Sequence, residues 1–188
     1  MNFQLSLYCL LQKLCQNLLN WVQDTKNPLV KVMKITLIQL GKTRFAHLQE
    51  GISDYHNRIR HYINFDEITI PDLKNIKNLS FAEIRKKEGE QILKIIDKSA
   101  FLVLLDERGK QKSSEEFAEF IRKNMISGRD IVLLVGGAYG FSEEVYTRAN
   151  DKIALSRMTF SHQLVRLIFA EQLYRSMTII RGEPYHHS

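Results

Sequence analysis

The chain has 188 residues, 44% of them hydrophobic and 26% charged, and Gly and Pro occupy only 9 and 3 positions. This composition is typical of a globular protein and excludes disordered and collagen-like classes, and no apolar run reaches the ~18 residues that a membrane span needs. The formal net charge of +6 is compatible with a polyanionic partner such as nucleic acid, although many proteins without such a partner are also mildly basic.

Residues 1–32 differ in pattern from the rest of the chain. An amphipathic helix that ends before Asn27-Pro28 is predicted there, because five apolar residues recur close to helical spacing: Leu7, Leu11, Leu14, Leu18 and Val22. The segment lacks the basic start and the small-residue cleavage site of a secretory signal. Both cysteines of the chain, Cys9 and Cys15, lie in it. The remainder therefore holds no disulfide framework and no four-ligand cysteine zinc site, which is typical of a reducing cytosol.

From Met33 onward, apolar strands alternate with amphipathic helices. Strands are predicted at Ile35–Leu40, Phe65–Ile70, Phe101–Leu105, Ile131–Val135 and Lys152–Leu155. Helices are predicted at Phe45–Ile59, at Ser80–Ile96, after the capping-box pair Ser113 and Glu116, and at Gln163–Met177. Short, continuously apolar strands are typical of a parallel sheet covered on both faces. The order of elements thus predicts one α/β domain, with Asp72–Leu79 as a loop.

A glycine-rich segment, Gly136-Gly137-Ala138-Tyr139-Gly140, directly follows one of the buried strands. In an open α/β sheet, ligands bind beyond the carboxyl ends of the strands, where glycine lets the backbone approach a ligand closely. The segment lacks the glycine order of a dinucleotide fold and the Gly-Lys-Ser/Thr of a P-loop, which disfavours a pyrophosphate or triphosphate site. It indicates either another kind of ligand loop or a tight turn without a ligand.

Polar residues also follow the predicted strand Phe101–Leu105. Leu105 would present apolar surface and backbone to a ligand, and three basic residues could contact phosphates: Arg108, Lys110 and Lys112. The same pattern is common where a strand simply ends in a solvated basic loop. Both interpretations remain open at this stage.

The last part of the chain brackets an apolar helix with polar groups. The run Leu155–Phe160 has many hydroxyls and little amphipathicity, and Ser161-His162-Gln163 opens the helix. We interpret His162 as a residue that orients the loop or caps the helix rather than as a catalytic one. Arg166 and Glu171 lie within the apolar helix, so they are expected to pair or to line a cleft or an interface, because unpaired burial of charge is costly.

Three segments together, Met33-Lys34-Ile35-Thr36-Leu37-Ile38, Gly136–Gly140 and Leu155–Ser188, resemble the SPOUT class of knotted RNA methyltransferases. Within that class the chain is similar to the small single-domain RlmH family, which methylates N3 of a pseudouridine in the large-subunit (23S) ribosomal RNA. The resemblance spans residues 33–188 and implies a SPOUT-type parallel-sheet α/β/α layer with a C-terminal trefoil knot. Since Met33 stands where the family normally begins, we interpret residues 1–32 as an N-terminal extension or a mis-assigned start.

The resemblance also implies S-adenosylmethionine as the cofactor, and no metal. Adenine and the methylthio group are mostly apolar, so backbone amides, hydroxyls and apolar side chains suit them better than a cage of charges. By motif match, eight residues are carried over as cofactor contacts: Leu105, Gly136, Leu155, Ser156, Arg157, Met158, Thr159 and Phe160.

The same resemblance implies that the C-terminal tail covers the cofactor and substrate pocket. Tyr185 would stack on the target base, and His186 would handle the N3 proton, because an imidazole titrates near working pH. These two residues are the predicted catalytic pair. Family members usually carry Pro where Ser161 stands and Lys or Arg where His187 stands, so the loop would be less rigid and phosphate anchoring weaker in this chain.

The resemblance implies two partners, the assembled ribosome and a second copy of the chain. It also implies a cytoplasmic location and no association with a membrane. The homodimer would be built on the helix Gln163–Met177, with an active site shared between subunits. Removing the 3 basic and 1 acidic residues of 1–32 lowers the formal charge from +6 to +4, which suits an assembled ribosome better than free RNA. Two alternatives remain: a SPOUT methyltransferase with another RNA target, such as a tRNA base or ribose, and a noncatalytic ribosome-associated module.

Overall fold

The computed structural model describes residues 33–185. Within them, five strands form: β1 (Lys34–Leu40), β2 (Asn64–Ile70), β3 (Phe101–Gln111), β4 (Ile131–Val135) and β5 (Asp151–Ala154). Five α-helices accompany them: α1 (Ala46–Arg60), α2 (Phe81–Ile95), α3 (Ser114–Ile126), α4 (Glu143–Arg148) and α5 (Leu164–Arg181). The chain divides at Val32/Met33. The helix predicted in 1–32 lies outside the described residues, and the interpretation of that segment as an extension stays a prediction.

All strand pairs are parallel, and the strands lie in the order β2-β1-β4-β3-β5. The prediction of a parallel α/β sheet is therefore confirmed, whereas the trefoil knot stays a prediction. The five residues of β4 are all buried, as expected for a central strand covered on both faces. No helix within the described residues combines the length and the apolar character that crossing a membrane requires.

Two apolar cores cover the two faces of the sheet. On one face α1, α3 and α5 pack against β1 and β4 through residues such as Ile59, Ile121, Phe169, Leu173 and Met177. On the other face α2 and α4 pack through Ile92 and Val145, and the adjoining residues Ile96 and Phe141 belong to the same core. The helix α5 is thus buried between α1 and α3 of its own chain.

Helix ends follow local chemistry closely. The side chains of Ser80 and Ser113 each accept a hydrogen bond from the backbone amide three residues on. The carboxylates of Glu83 and Glu116 in turn accept a bond from the backbone amide of the capping serine. Both predicted capping boxes are therefore confirmed. The helix α5 continues four residues beyond the predicted end at Met177 and stops at Gly182, whose φ of 69° is the left-handed cap conformation that glycine favours.

The strand β3 is longer than predicted, because it pairs with β5 twice. Leu105 and Lys110 are both in register with Ile153, so residues 106–109 form an outward excursion between two paired parts. A Cβ at Gly109 would lie 2.6 Å from the backbone of Ile153, so only glycine allows this close approach. Of the two interpretations of the residues after Leu105, a strand that simply ends there is excluded, because the chain returns to pair with β5 at Lys110 and Gln111.

Candidate functional site

A cavity of about 640 Å³ opens at the carboxyl ends of β3, β4 and β5. Its walls come from the excursion of β3, the glycine-rich segment after β4, and the loop between β5 and α5. Seven of the eight predicted cofactor contacts line it: Leu105, Gly136, Leu155, Ser156, Met158, Thr159 and Phe160. Segments that lie far apart in the sequence therefore meet at one place, although contact with the cofactor itself stays a prediction.

Arg157 is the predicted contact that the structure places elsewhere. Its side chain is exposed and is not part of the cavity wall, unlike its neighbours Ser156 and Met158. The amide of Met158 donates to the hydroxyl of Ser156 at 2.9 Å. This bond closes a tight turn on which successive side chains cannot all face one way, and the turn directs Arg157 to solvent.

The glycine at position 136 is required by packing as well as by the cavity. A Cβ built there would lie 2.9 Å from Cζ of Phe141, whose buried ring belongs to the core beneath the loop. Such a side chain would push the loop or the ring out of place. The backbone at Gly136 therefore forms the wall directly, as expected where a chain must come close to a ligand.

Asp106 and Tyr146 add a fixed polar pair to the cavity wall. The hydroxyl of Tyr146 donates to Oδ2 of Asp106 at 2.5 Å. Burial, together with this bond, raises the pKa of Tyr146 to about 12, so the phenol stays protonated at neutral pH. The pair therefore holds one carboxylate in a single orientation next to the cavity.

Sequence reasoning missed Arg85 and Tyr146 as cavity residues. Arg85 comes from α2 and Tyr146 from α4, and neither belongs to a motif with recognisable spacing. The topology of the sheet brings both helices to the cavity. The only sequence signal was for Tyr146, because α4 directly follows the glycine-rich segment at the end of a strand.

The start of α5 is anchored to the loop after β1 by buried Arg166. Only 1% of this residue is exposed, and its guanidinium donates to the carbonyl of Gly41 at 2.9 Å, to the hydroxyl of Thr43 at 3.0 Å and to the carbonyl of Leu40. Burial lowers the pKa of Arg166 from its ordinary value. The side-chain carbonyl of Gln163 adds a bond from the amide of Arg44 at 2.7 Å.

Arg166 and Glu171 do not pair with each other, which was one of the two expectations for these residues. Glu171 instead accepts from Arg175 at 2.5 Å, because residues four apart lie on the same side of a helix and residues five apart do not. Arg166 has backbone carbonyls for partners and fixes the position of the helix whose first turn, with His162 and Val165, lines the cavity.

We expect Arg166→Met to lower the free energy of unfolding by about 1–3 kcal/mol, because it leaves buried carbonyl groups without donors. S-adenosylmethionine affinity should also fall, since the helix start loses its anchor. Urea unfolding and calorimetry measure the two effects. Arg181→Met, at an exposed position of the same helix, is the control and should change neither. If the two variants are equally stable, Arg166 does not anchor the start of the helix.

Tyr185 lies against its own α5, away from the cavity wall. Its ring meets that of Tyr174 edge-on with centroids 4.9 Å apart, and its hydroxyl donates to Glu171 at 3.3 Å. The Arg175 guanidinium lies 4.8 Å from the ring centroid. Burial raises the pKa of Tyr185 above its ordinary value. Stacking of Tyr185 on a target base stays a prediction, and the predicted catalytic His186 lies outside the described residues.

Comparison with known proteins gives consistent matches. The profile of a family described as predicted SPOUT methyltransferase matches residues 33–186. Over 156 residues, this chain is 54% identical to the ribosomal RNA large subunit methyltransferase H of Parabacteroides distasonis. It is 53% identical, also over 156 residues, to the protein of the same name from Flavobacterium johnsoniae. Each alignment covers 82% of this chain and 99% of the relative.

Solved structures of low identity also match. A probable methyltransferase from Bordetella pertussis is 8% identical, with a TM-score of 0.47 over 78% of this chain and 98% of that one. The SpoU methyltransferase AviRb from Streptomyces viridochromogenes, in complex with AdoMet, is 13% identical, with a TM-score of 0.43 over 85% of this chain and 63% of that one.

Proposed function

The chain belongs to the SPOUT methyltransferase family, and from that membership we propose that it methylates large-subunit ribosomal RNA with S-adenosylmethionine as the methyl donor. The proposed target is N3 of a pseudouridine in 23S ribosomal RNA within the assembled ribosome, which implies a cytoplasmic location. One observation carries the proposal. The family-matched segments after β3, β4 and β5 line a single cavity in a chain that is 54% identical to a ribosomal RNA large subunit methyltransferase H over nearly its full length.

The residues present suit the proposed cofactor. The volume of about 640 Å³ lies within the range of small-molecule sites, and such sites combine apolar walls with a few placed polar groups. Here the walls are glycine backbone with Leu105, Leu155 and Phe160, and the polar groups include Ser156 and Thr159. Bound in this cavity, S-adenosylmethionine supplies an electrophilic methyl group. No cluster of His, Cys, Asp or Glu suited to a metal ion occurs among residues 33–185.

The chain has two tasks in the proposed reaction. A bond forms between N3 and the methyl carbon while the bond from that carbon to sulfur breaks, and the proton on N3 must leave. The protein therefore orients the base in line with the methyl group, which contributes by proximity. It also provides a proton acceptor, for which we propose His186.

A homodimer with a shared site is also proposed. The apolar side of α5 gives no support for it, because Phe169, Leu173 and Met177 are buried within their own chain. Support comes instead from the first turn of the helix, where Leu164 is 39% exposed, and from nearby Phe45, which is 55% exposed. The bond from Arg44 to Gln163 brings the two segments together, so they offer one apolar surface for a second copy.

We expect the wild-type chain to sediment as a single species near twice its mass of 22.0 kDa, and Leu164→Glu to shift it toward the monomer, because a buried unpaired charge is costly. Ile126→Glu, at a residue that is 56% exposed on α3, is the matched control and should stay dimeric. A monomer with full activity would overturn the shared site.

The proposed activity can be tested on ribosomes from cells that lack this protein. These ribosomes are incubated with the purified chain and methyl-labelled S-adenosylmethionine, and the digested RNA is mapped by mass spectrometry. We expect one labelled methyl group on a pseudouridine of 23S ribosomal RNA. Label only in tRNA, or on a ribose, would favour the alternative RNA target. Cofactor binding without any transfer would favour a noncatalytic module.

A further inference from the structure

An exposed aromatic pair stands at the rim of the cavity. Phe81 is the first residue of α2 and is 65% exposed. Its ring centroid lies 5.0 Å from that of Tyr139, with the ring planes 31° apart. Tyr139 lines the cavity as part of the glycine-rich segment, whereas Phe81 does not. The pair therefore continues the cavity wall outward onto the surface of α2.

The position of Phe81 is fixed by the capping box before it. The hydroxyl of Ser80 accepts from the amide of Glu83 at 3.3 Å, and the carboxylate of Glu83 accepts from the amide of Ser80 at 2.8 Å. The first turn of α2 is thereby held in one conformation. A group that binds the ring meets a surface already in place, so little conformational entropy is lost on binding.

The chain segment that carries Phe81 is basic in sequence. Residues 74–87 contain five basic residues and one acidic residue, Glu83, which is engaged in the cap. The basic residues are Lys74, Lys77, Arg85, Lys86 and Lys87. Of these, Arg85 also lines the cavity. An aromatic surface bordered by cations complements a nucleotide, whose base stacks while its phosphates are neutralised.

We propose that Phe81 and Tyr139 stack an unpaired base of ribosomal RNA next to the target nucleotide. The inference rests on the proposed function and assigns part of the substrate contact to residues of α2 and the glycine-rich segment. Phe81 lies outside the cavity, so its ligand is a group that approaches from the surface. Unstacked bases bind aromatic side chains in this way in single-stranded RNA recognition. The contact would fix the register of the RNA strand, and with it the target base.

Phe81→Ala tests the proposal, with Ile126→Ala as the matched control. Both changes truncate exposed apolar residues on helices. Binding is measured by co-sedimentation with ribosomes from cells that lack this protein, and cofactor affinity by calorimetry. We expect Phe81→Ala to weaken ribosome binding about tenfold, within the range of one lost base stack. Its affinity for S-adenosylmethionine should match that of Ile126→Ala. Phe81→Trp should restore ribosome binding, because it keeps a stacking surface.

The possible outcomes separate this inference from the proposed function. Ribosome binding by Phe81→Ala equal to that of wild type overturns the inference alone. Failure of the wild-type chain to bind ribosomes overturns the proposed function and the inference together. A photo-crosslinking aromatic residue at position 81 identifies the partner directly. We expect a crosslink to ribosomal RNA close to the methylated base, and a crosslink to a ribosomal protein instead overturns the inference.

Discussion

Gly136→Val is expected to abolish binding of S-adenosylmethionine. Any side chain at this position starts 2.9 Å from the buried ring of Phe141, and valine adds two methyl groups beyond the Cβ. Because the ring is packed in the core, the loop that forms the cavity wall must move instead. Overpacking of this kind also costs about 1–3 kcal/mol of stability, so the melting temperature should fall while the circular dichroism of the fold is retained.

Calorimetric titration measures this loss directly. Ala82→Val, at an exposed position on α2, adds comparable bulk outside the cavity and should leave cofactor affinity unchanged. An unaltered affinity in Gly136→Val would exclude the glycine-rich segment from the cofactor site, although the family membership would stand.

His186→Ala should lower the rate of methyl transfer to ribosomes by about 10²- to 10⁴-fold, the usual contribution of a group that transfers a proton during the reaction. Cofactor affinity should change little, because the substitution removes a proton acceptor and alters none of the described residues that line the cavity. Single-turnover rates with saturating ribosomes separate the chemical step from binding.

A point substitution is a cleaner test here than removal of the tail. Truncation after Gly182 would delete Tyr185, which packs on Tyr174, and Glu183, which accepts from the hydroxyl of Tyr62 at 2.5 Å. Some stability would be lost with these contacts, and a loss of activity could not be attributed to chemistry. A loss below about threefold in His186→Ala, far under the range for acid-base catalysis, would leave water as the proton acceptor.

The sequence alone predicted those features that depend on neighbouring residues. Apolar runs located the five strands, and the serine and glutamate pairs located the starts of α2 and α3, because strand burial and helix capping are local effects. The glycine-rich segment could be assigned to a strand end by the same reasoning. The family resemblance added that the loops after β3, β4 and β5 share one site, and the structure places seven of the eight named residues there.

Features that depend on contacts between distant parts of the chain could not be predicted. Nothing near Arg166 in the sequence shows that it binds the carbonyls after β1, and the sequence pattern of the helix suggests Glu171 as its partner, which pairs with Arg175 instead. The excursion of β3 arises from a second pairing with β5. Arg85 and Tyr146 reach the cavity only through the order of strands and helices. Tyr185 packs on its own helix because Tyr174 and Glu171 are presented there.

The anchoring bonds of Arg166 also bear on when the site can form during protein synthesis. They join residues 123–126 positions apart in the chain. The loop after β1 therefore has none of these hydrogen-bond donors until α5 has been synthesised. Closing so long a segment is entropically costly and tends to come late in folding. A nascent chain that still holds α5 inside the exit tunnel therefore lacks a finished cavity. The enzyme therefore becomes competent only after α5 has left the tunnel and packed against the sheet.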